Sequence, residues 1–367
     1  MDGTVRKHIV ISAVNIRKGG TLTVLRDCLA YLSGKKDWQV TALVHDRKLC
    51  DFPGISYIEI PWSSKSWLRR LWCEYVSMGR ISRKLPEVDL WFSLHDTTPR
   101  VRARRQAVYC HTSFPFLKTR RQDWKMDYKI PAFARFTRYA YRMNVRRNSY
   151  LVVQQDWMRK GLSGLTGFPE QRIIVAPPAF SLPEISGSAT DELIFLYPST
   201  PDCHKNFEVF CEASRMLEER VGRGRFRSVI TLDGSENRYS RWLKARFGGV
   251  SSVDFRGYLS KEELRNYYGL AGCLVFPSRI ETWGLPISEF LPSGKPMILS
   301  DLPYAHETAA GAKQVAFFPC DDPAALSERM QELLEGRMGA FREVERKNTA
   351  EPRANGWEEL FGILTEE

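Results

Sequence analysis

Two glutamates, Glu281 and Glu289, are separated by seven residues that include Gly284 and Pro286, and they follow the apolar run Cys273 to Phe276. That run reads as a buried strand end, and the periodicity after it as an amphipathic helix. Pro286 suits a first helical position, where its missing N–H would be unpaired anyway. The amides of Trp283, Gly284, Leu285 and Ile287, with Thr282 just ahead, then open an anion site at the helix start, where a phosphate is well placed. Gly284 lets a ligand approach the backbone closely. Glu281 lies before the helix and Glu289 inside it. One acid can face a sugar's hydroxyls, and the other can accept both hydrogen bonds of a ribose diol.

A cation and an imidazole extend the set. Lys205 opens a predicted helix after the apolar run Leu193 to Tyr197. A lysine there can hold a diphosphate by charge and stabilise it as it leaves. His111 follows the run Gln106 to Cys110, just past a strand's carboxyl end, where open α/β sheets bind ligands. Gly19 and Gly20 separate the strand His8 to Ser12 from a helix with Leu22, Leu25, Leu29 and Leu32 on one face. Gly234 repeats this strand-then-glycine layout after Ser228 to Leu232 and would let a nucleotide lie close. The dinucleotide fingerprint G-x-G-x-x-G, an Asp-x-Asp metal motif and a C-x-x-C pair are all missing from the sequence, so no metal site is expected.

The two glutamates stand in order with Gly257 and Tyr258, with Tyr267, Tyr268 and Ala271, and with Gly294-Lys295-Pro296, Ser300 to Pro303 and Glu307. Together these resemble the retaining nucleotide-sugar glycosyltransferases of family 4. The likeness covers residues 190–335 well and the first half loosely. It implies an α/β chain of the GT-B type, two Rossmann-like domains facing across a cleft. It implies transfer of a sugar from a UDP- or GDP-type nucleotide sugar to a hydroxyl of a glycan or lipid-linked acceptor. Anomeric configuration would be retained by front-face attack, giving an α-linkage, in cell-surface polysaccharide or lipopolysaccharide synthesis and with no metal cofactor. By the same resemblance, Lys205 and Thr282, Trp283, Gly284 and Leu285 take the diphosphate, Glu281 the sugar and Glu289 the ribose. The base would lie near Tyr258, held largely by backbone groups. His111 would lie beside the reacting sugar, with the Gly19-Gly20 loop near donor and acceptor. The family has an arginine shortly before the lysine. Here Ser199 and Thr200 occupy that region, so either Lys205 acts alone or an arginine such as Arg279 substitutes. Other classes compatible with these residues are a same-fold nucleotide-sugar epimerase or phosphorylase, and a non-catalytic protein binding anionic lipid or nucleic acid.

The elements that must position these residues are legible as alternating apolar runs and helices. The runs are Gln39–Val44, Ile55–Ile60, Val88–Phe92, Gln106–Cys110, Tyr150–Val153 and Ile173–Val175, then Leu193–Tyr197, Ser228–Leu232, Ser252–Phe255, Pro296–Ser300 and Val315–Phe318. A Pro-, Gly- and Ser-rich stretch from Pro177 to Ser188 reads as the linker. The expected division is an acceptor-binding domain over 1–182, a nucleotide-sugar domain over 190–345, and a last helix over 346–367 that crosses back, with Trp357, Leu360, Phe361 and Leu364 at helical spacing.

At 367 residues the chain is long enough for two cores. It has no apolar run near the roughly twenty residues that cross a bilayer and no signal-peptide pattern. Its eight scattered cysteines read as reduced packing residues of a cytoplasmic protein. Charge is uneven. Residues 1–185 hold 32 Lys and Arg against 15 Asp and Glu, and the remainder 22 against 28, so the basic excess lies wholly in the first half. It concentrates in two aromatic-bearing segments. Trp67, Arg69, Arg70 and Trp72 lie in one, expected to place Trp67, Leu68, Leu71, Trp72 and Tyr75 on one helical face. In the other, Arg135, Arg138, Arg142 and Arg146 recur at helical spacing opposite Phe133, Phe136, Ala140 and Met143. A one-signed polar face beside aromatic rings suits an anionic membrane surface or a diphosphate-linked lipid acceptor, in peripheral contact. No nucleic-acid-binding motif accompanies the basic residues, so nucleic acid is not expected as a partner.

Overall fold

The computed structural model describes residues 6–178 and 192–366, so most of the expected linker lies outside the described residues. The chain forms two compact units. One comprises residues 1–115, 136–180 and 349–367, and the other residues 116–135 and 181–348.

The first unit holds a seven-stranded sheet of β1 (Lys7–Ala13), β2 (Trp38–Val44), β3 (Ile55–Glu59), β4 (Leu90–Ser93), β5 (Arg105–Tyr109), β6 (Tyr150–Val153) and β7 (Ile173–Val175), in the order β3-β2-β1-β4-β5-β6-β7. The second holds β8 (Leu193–Tyr197), β9 (Phe226–Ile230), β10 (Val253–Phe255), β11 (Cys273–Phe276), β12 (Met297–Ser300) and β13 (Val315–Phe318), in the order β10-β9-β8-β11-β12-β13. The strand pairs are parallel in both sheets. Such strands are covered on both faces, which is why they appear in the sequence as near-continuous apolar runs. Each sheet reverses its winding once, between β1 and β4 and between β8 and β11. In open α/β sheets that point, at the strands' carboxyl ends, is where ligands bind. Both units are therefore Rossmann-like.

Alternation along β1 shows how the first sheet is filled. Ile9, Ile11 and Ala13 enter a core built with the helix Gly19–Ser33, while Val10 and Val14 enter the opposite layer with Ile60, Cys73, Met78 and Trp91. The first core is completed by the helix Trp357–Thr365, whose Leu360, Phe361 and Leu364 are buried. The Phe361 ring lies 5.7 Å from Tyr31, 5.8 Å from Trp38 and 5.8 Å from Phe92, between centroids. Seven of the cysteines are buried, Cys320 is partly exposed, and all eight are unbridged.

Three sequence expectations need correction. Residues 116–135 group with the second unit and not with the sequence around them. Their helix Arg121–Met126 is fixed there by a buried ion pair of Asp123 with Arg279. Arg146 does not share a helix with Arg135, Arg138 and Arg142. The helix Lys129–Arg142 stops because Asn144 turns left-handed, φ 58°, into the short turn Val145–Arg147. The same helix buries Ala134, Thr137 and Tyr141, and leaves Phe136, Tyr139 and Met143 exposed beside the arginines.

Candidate active site

Two turns at the β8/β11 switch point of the second unit carry the main charged pair. After β8 the chain runs through the turn Cys203–Lys205 into Asn206, which is fully buried and left-handed at φ 63°, and then into the helix Phe207–Val221. Asparagine tolerates that conformation better than most residues. Here its side chain is also fixed, donating from Nδ2 to the carbonyls of Pro277 at 3.0 Å and Cys320 at 2.7 Å. The Tyr197 hydroxyl donates to the Lys205 carbonyl at 2.7 Å, so the lysine's backbone is held from the strand itself. After β11 the Arg279 amide donates to the His204 carbonyl at 2.9 Å, which ties the second turn to the first. Across this junction Lys205 Nζ meets Glu281 Oε1 at 2.6 Å, with both side chains mostly buried. A close, partly desolvated pair of this kind is stronger than a surface ion pair.

The helix following Glu281 begins at Leu285 and not at Pro286, with Gly284 left-handed at φ 92° before it. A β-carbon on Gly284 would stand 3.3 Å from Ile287 Cδ1, so the position is both conformationally and sterically suited to glycine. The helix is only six residues long, Leu285–Phe290. What it offers an anion is therefore local amides, and the strong charge in the turn is Lys205. Trp283 is braced on this turn, its Nε1 donating to Ser288 Oγ at 2.8 Å and its carbonyl accepting from Thr308 Oγ1. Thr282 and Trp283 are half-buried and Leu285 is exposed. Glu289 Oε2 accepts from the Tyr268 hydroxyl at 2.7 Å. Burial and the adjacent carboxylate push the Tyr268 phenol well above its ordinary range, so it remains a donor.

Other expected residues stand differently. The space beside Gly234 is filled by the Lys244 side chain, whose Cβ would lie 2.7 Å from an added β-carbon. Helix packing thus requires glycine at this position. The amides of Asp233 and Gly234 donate to the Glu236 carboxylate at 2.7 and 3.1 Å. Tyr258 is 88% exposed. Arg279 is no substitute for a phosphate-site arginine. Its guanidinium is buried and donates to Asp123 Oδ1 at 2.6 Å.

In the first unit His111 follows β5. Its amide donates to Asp96 Oδ1 at 2.6 Å, and the same oxygen accepts from the Thr112 amide at 3.0 Å and the Tyr141 hydroxyl at 2.9 Å. Both ring nitrogens are shut off from solvent without a hydrogen-bond partner. Burial pulls the imidazole down to about 4, against a smaller upward pull from Asp96, so His111 is neutral at ordinary pH. Asp96 itself is left-handed, φ 70°, a rare conformation that its three hydrogen bonds enforce. Sequence reasoning missed this aspartate's role, although it lies beside His95. Gly19, φ 72°, opens its helix with open space around it, and Gly20 likewise.

The basic, aromatic segments divide. Trp67, Leu68, Arg69 and Trp72 are exposed, Leu68 by 79%, and all of these but Trp67 line a shallow apolar depression with Trp62. The Trp67 ring stands 6.5 Å from that of Phe136, which is 57% exposed, so the two segments form one surface. Arg135, Arg138 and Arg142 are exposed, and Arg142 also caps the Leu165 carbonyl at 2.8 Å. Arg70 is a correction. It turns inward to Glu74, fully buried, at 2.7 Å, and to the His95 carbonyl at 3.2 Å. Tyr75 is likewise turned inward, its hydroxyl buried. Among the described residues no helix is long and apolar enough to cross a membrane.

Residues 180–351 match the family described as glycosyl transferases group 1. An O-antigen chain mannosyltransferase B of Escherichia coli is 25% identical over 228 residues, 57% of each chain, so the match spans little more than half of that relative. Among solved structures, a sucrose-phosphate synthase of Thermosynechococcus elongatus superposes with a TM-score of 0.65 at 17% identity, covering 91% of each chain. An Anabaena protein, HepE, solved in complex with UDP-glucose, superposes with a TM-score of 0.60 at 12% identity, covering 91% of this chain and 92% of its own. The fold is of the GT-B type.

Proposed function

We propose, from the premise that residues 180–351 are a glycosyl transferases group 1 domain, that this chain moves a sugar from a nucleotide sugar to a hydroxyl acceptor. The observation that carries the reading is the Lys205–Glu281 pair at 2.6 Å on the β8/β11 switch point. As the glycosidic bond breaks, negative charge grows on the departing diphosphate, and a preorganised cation there lowers the barrier. In this reading Lys205 serves that charge, together with the Thr282–Leu285 backbone, and Glu281 faces the sugar hydroxyls. Glu289, oriented by Tyr268, takes the ribose. Retention of configuration, an α-linkage and a UDP- or GDP-type donor are part of the proposal, as is a glycan or lipid-linked acceptor in cell-surface polysaccharide synthesis. The named mannosyltransferase relative supports the acceptor pathway, and the UDP-glucose complex of the structural neighbour supports a nucleotide-sugar donor. The test is incubation with UDP-, GDP-, ADP- and dTDP-sugars, with and without glycan acceptors. Nucleotide released only when acceptor is present supports transfer. Release or sugar conversion without acceptor favours an epimerase or phosphorylase, and binding without turnover favours a non-catalytic protein.

A peripheral membrane face belongs to the same proposal. From Pro61 to Cys73 and from Tyr128 to Arg147 the sequence contains no Asp or Glu, and the exposed rings of Trp67, Trp72 and Phe136 lie among its arginines. Exposed aromatics within a one-signed cationic surface match the headgroup layer of an anionic bilayer, approached from the cytoplasmic side.

A further inference from the structure

Asp123 and Arg120 lie more than seventy residues before the Cys203–Lys205 turn, yet each touches one of the two turns that carry Lys205 and Glu281. Asp123 Oδ1 accepts from Arg279 Nη2 at 2.6 Å, with both side chains almost fully buried, 3% and 5% exposed. Arg279 lies two residues before Glu281. Its guanidinium also donates to the Cys203 carbonyl at 3.4 Å on the Lys205 turn and to the Lys118 carbonyl at 3.4 Å. Arg120 Nη1 donates to Asn206 Oδ1 at 3.0 Å, beside Lys205, and pairs with Glu208 at 3.4 Å and with Asp321. Asp123 Oδ2 accepts from the Arg120 amide at 2.7 Å, which locks the two clamp residues to each other.

We infer that residues 118–123 are a polar clamp that sets the separation of Lys205 and Glu281, with Asp123, Arg120 and Arg279 as positioning residues for the site. A buried carboxylate facing a buried guanidinium is costly to assemble and gives little net stability. Its usual value, where it has one, is to select a single arrangement. Here that arrangement has a definite content. Arg279 can reach the Cys203 carbonyl only while Asp123 holds its guanidinium, and Asn206 holds both turns while Arg120 holds Asn206. Bond formation at the sugar is sensitive to displacements of about 1 Å in groups of this kind. The clamp therefore acts through placement and never touches substrate.

The inference rests on the sugar-transfer reading only for its kinetic arm, and the structural arm is independent of it. The structural probe is acylation of lysine by a water-soluble N-hydroxysuccinimide ester, read by mass spectrometry, with surface Lys313 as internal reference. Lys205 is shielded by Glu281 in the intact protein. In Asp123→Asn its labelling relative to Lys313 should rise several-fold. Because that variant strands a buried guanidinium and can unfold, the double variant D123L/R279M replaces the pair with apolar side chains of similar volume and keeps the core filled. It should show the same loss of Lys205 protection in a protein that melts cooperatively. In the kinetic arm its kcat/KM should fall between about ten- and a hundredfold, with kcat carrying most of the loss. If a folded D123L/R279M protects Lys205 as well as the unaltered protein does, the clamp is overturned. If the unaltered protein transfers no sugar but the labelling changes as stated, the clamp stands and the sugar-transfer reading fails.

Discussion

Lys205 Nζ lies 2.6 Å from Glu281 Oε1, so the cation proposed to meet a diphosphate is already paired with a carboxylate of the same site. The two members should therefore respond oppositely to removal. Glu281→Ala frees the lysine, and it should abolish transfer while nucleotide affinity stays within a few-fold or rises. Lys205→Met leaves a carboxylate facing the phosphates and should weaken nucleotide binding by at least about tenfold, a charge-assisted contact being lost. Calorimetric titration with the nucleotide, beside a transfer assay, separates these outcomes. Full activity in both variants would sink the site assignment.

Glu289 and Tyr268 form a hierarchy. Glu289→Ala should chiefly raise the dissociation constant of the nucleotide and lower kcat less. Tyr268→Phe removes the one hydroxyl that orients this carboxylate at 2.7 Å and should cost about 1 kcal/mol of the same binding. A Tyr268→Phe protein that binds as poorly as Glu289→Ala would mean that the hydroxyl itself meets the ligand.

Acid should destabilise the first unit through His111. The unfolded chain takes up this proton below about pH 6.5, whereas the folded ring resists it down to about 4. Stability from this residue is therefore intact above the unfolded value and is lost as pH falls between the two. At pH 4.5 the loss amounts to about 2 to 3 kcal/mol. In His111→Asn, urea unfolding at pH 7 and pH 4.5 should show a correspondingly smaller difference than in the unaltered protein. Equal differences would show that the imidazole becomes charged without cost. His95, buried and held down in the same way, should leave part of the acid sensitivity in place.

Much of this architecture is legible from sequence, for identifiable reasons. Parallel strands covered on both faces announce themselves as apolar runs, so the strands of both sheets could be located to within a few residues. The last helix shows its buried face through Leu360, Phe361 and Leu364. The failures share a different cause. Asp123 and Arg279 are 156 residues apart, and a single long-range ion pair leaves no periodic trace. Arg70 looks like surface charge because its partner, Glu74, sits at an ordinary i,i+4 spacing whose burial the sequence does not display. Gly234 is also held to glycine by the Lys244 side chain packed against it, a contact that the strand-then-glycine pattern does not display. Asn144 was a readable stop, since asparagine favours the left-handed turn that ends a helix.

The exposed aromatic and arginine surface should bind anionic vesicles. Charge reversal at Arg69, Arg138 and Arg142 removes contacts worth roughly 1 kcal/mol each near such a surface. The variant should lose co-sedimentation with vesicles rich in phosphatidylglycerol. Trp67→Ala with Trp72→Ala should weaken binding even at low salt, where the charges alone are strongest. Unchanged co-sedimentation in both variants would reject the membrane face.

The Phe361 ring reaches Tyr31, Trp38 and Phe92, which places the tail of the chain inside the core begun at its head. During ribosomal synthesis residues 349–366 emerge after every strand of the second unit. The first unit's core is thus closed by a segment made after the second unit's strands, and until that segment emerges it exposes an unfilled apolar seat for the helix Trp357–Thr365. Nascent chains carrying only the first half should be the species that chaperones capture, since incomplete cores of this kind expose the surfaces that aggregate.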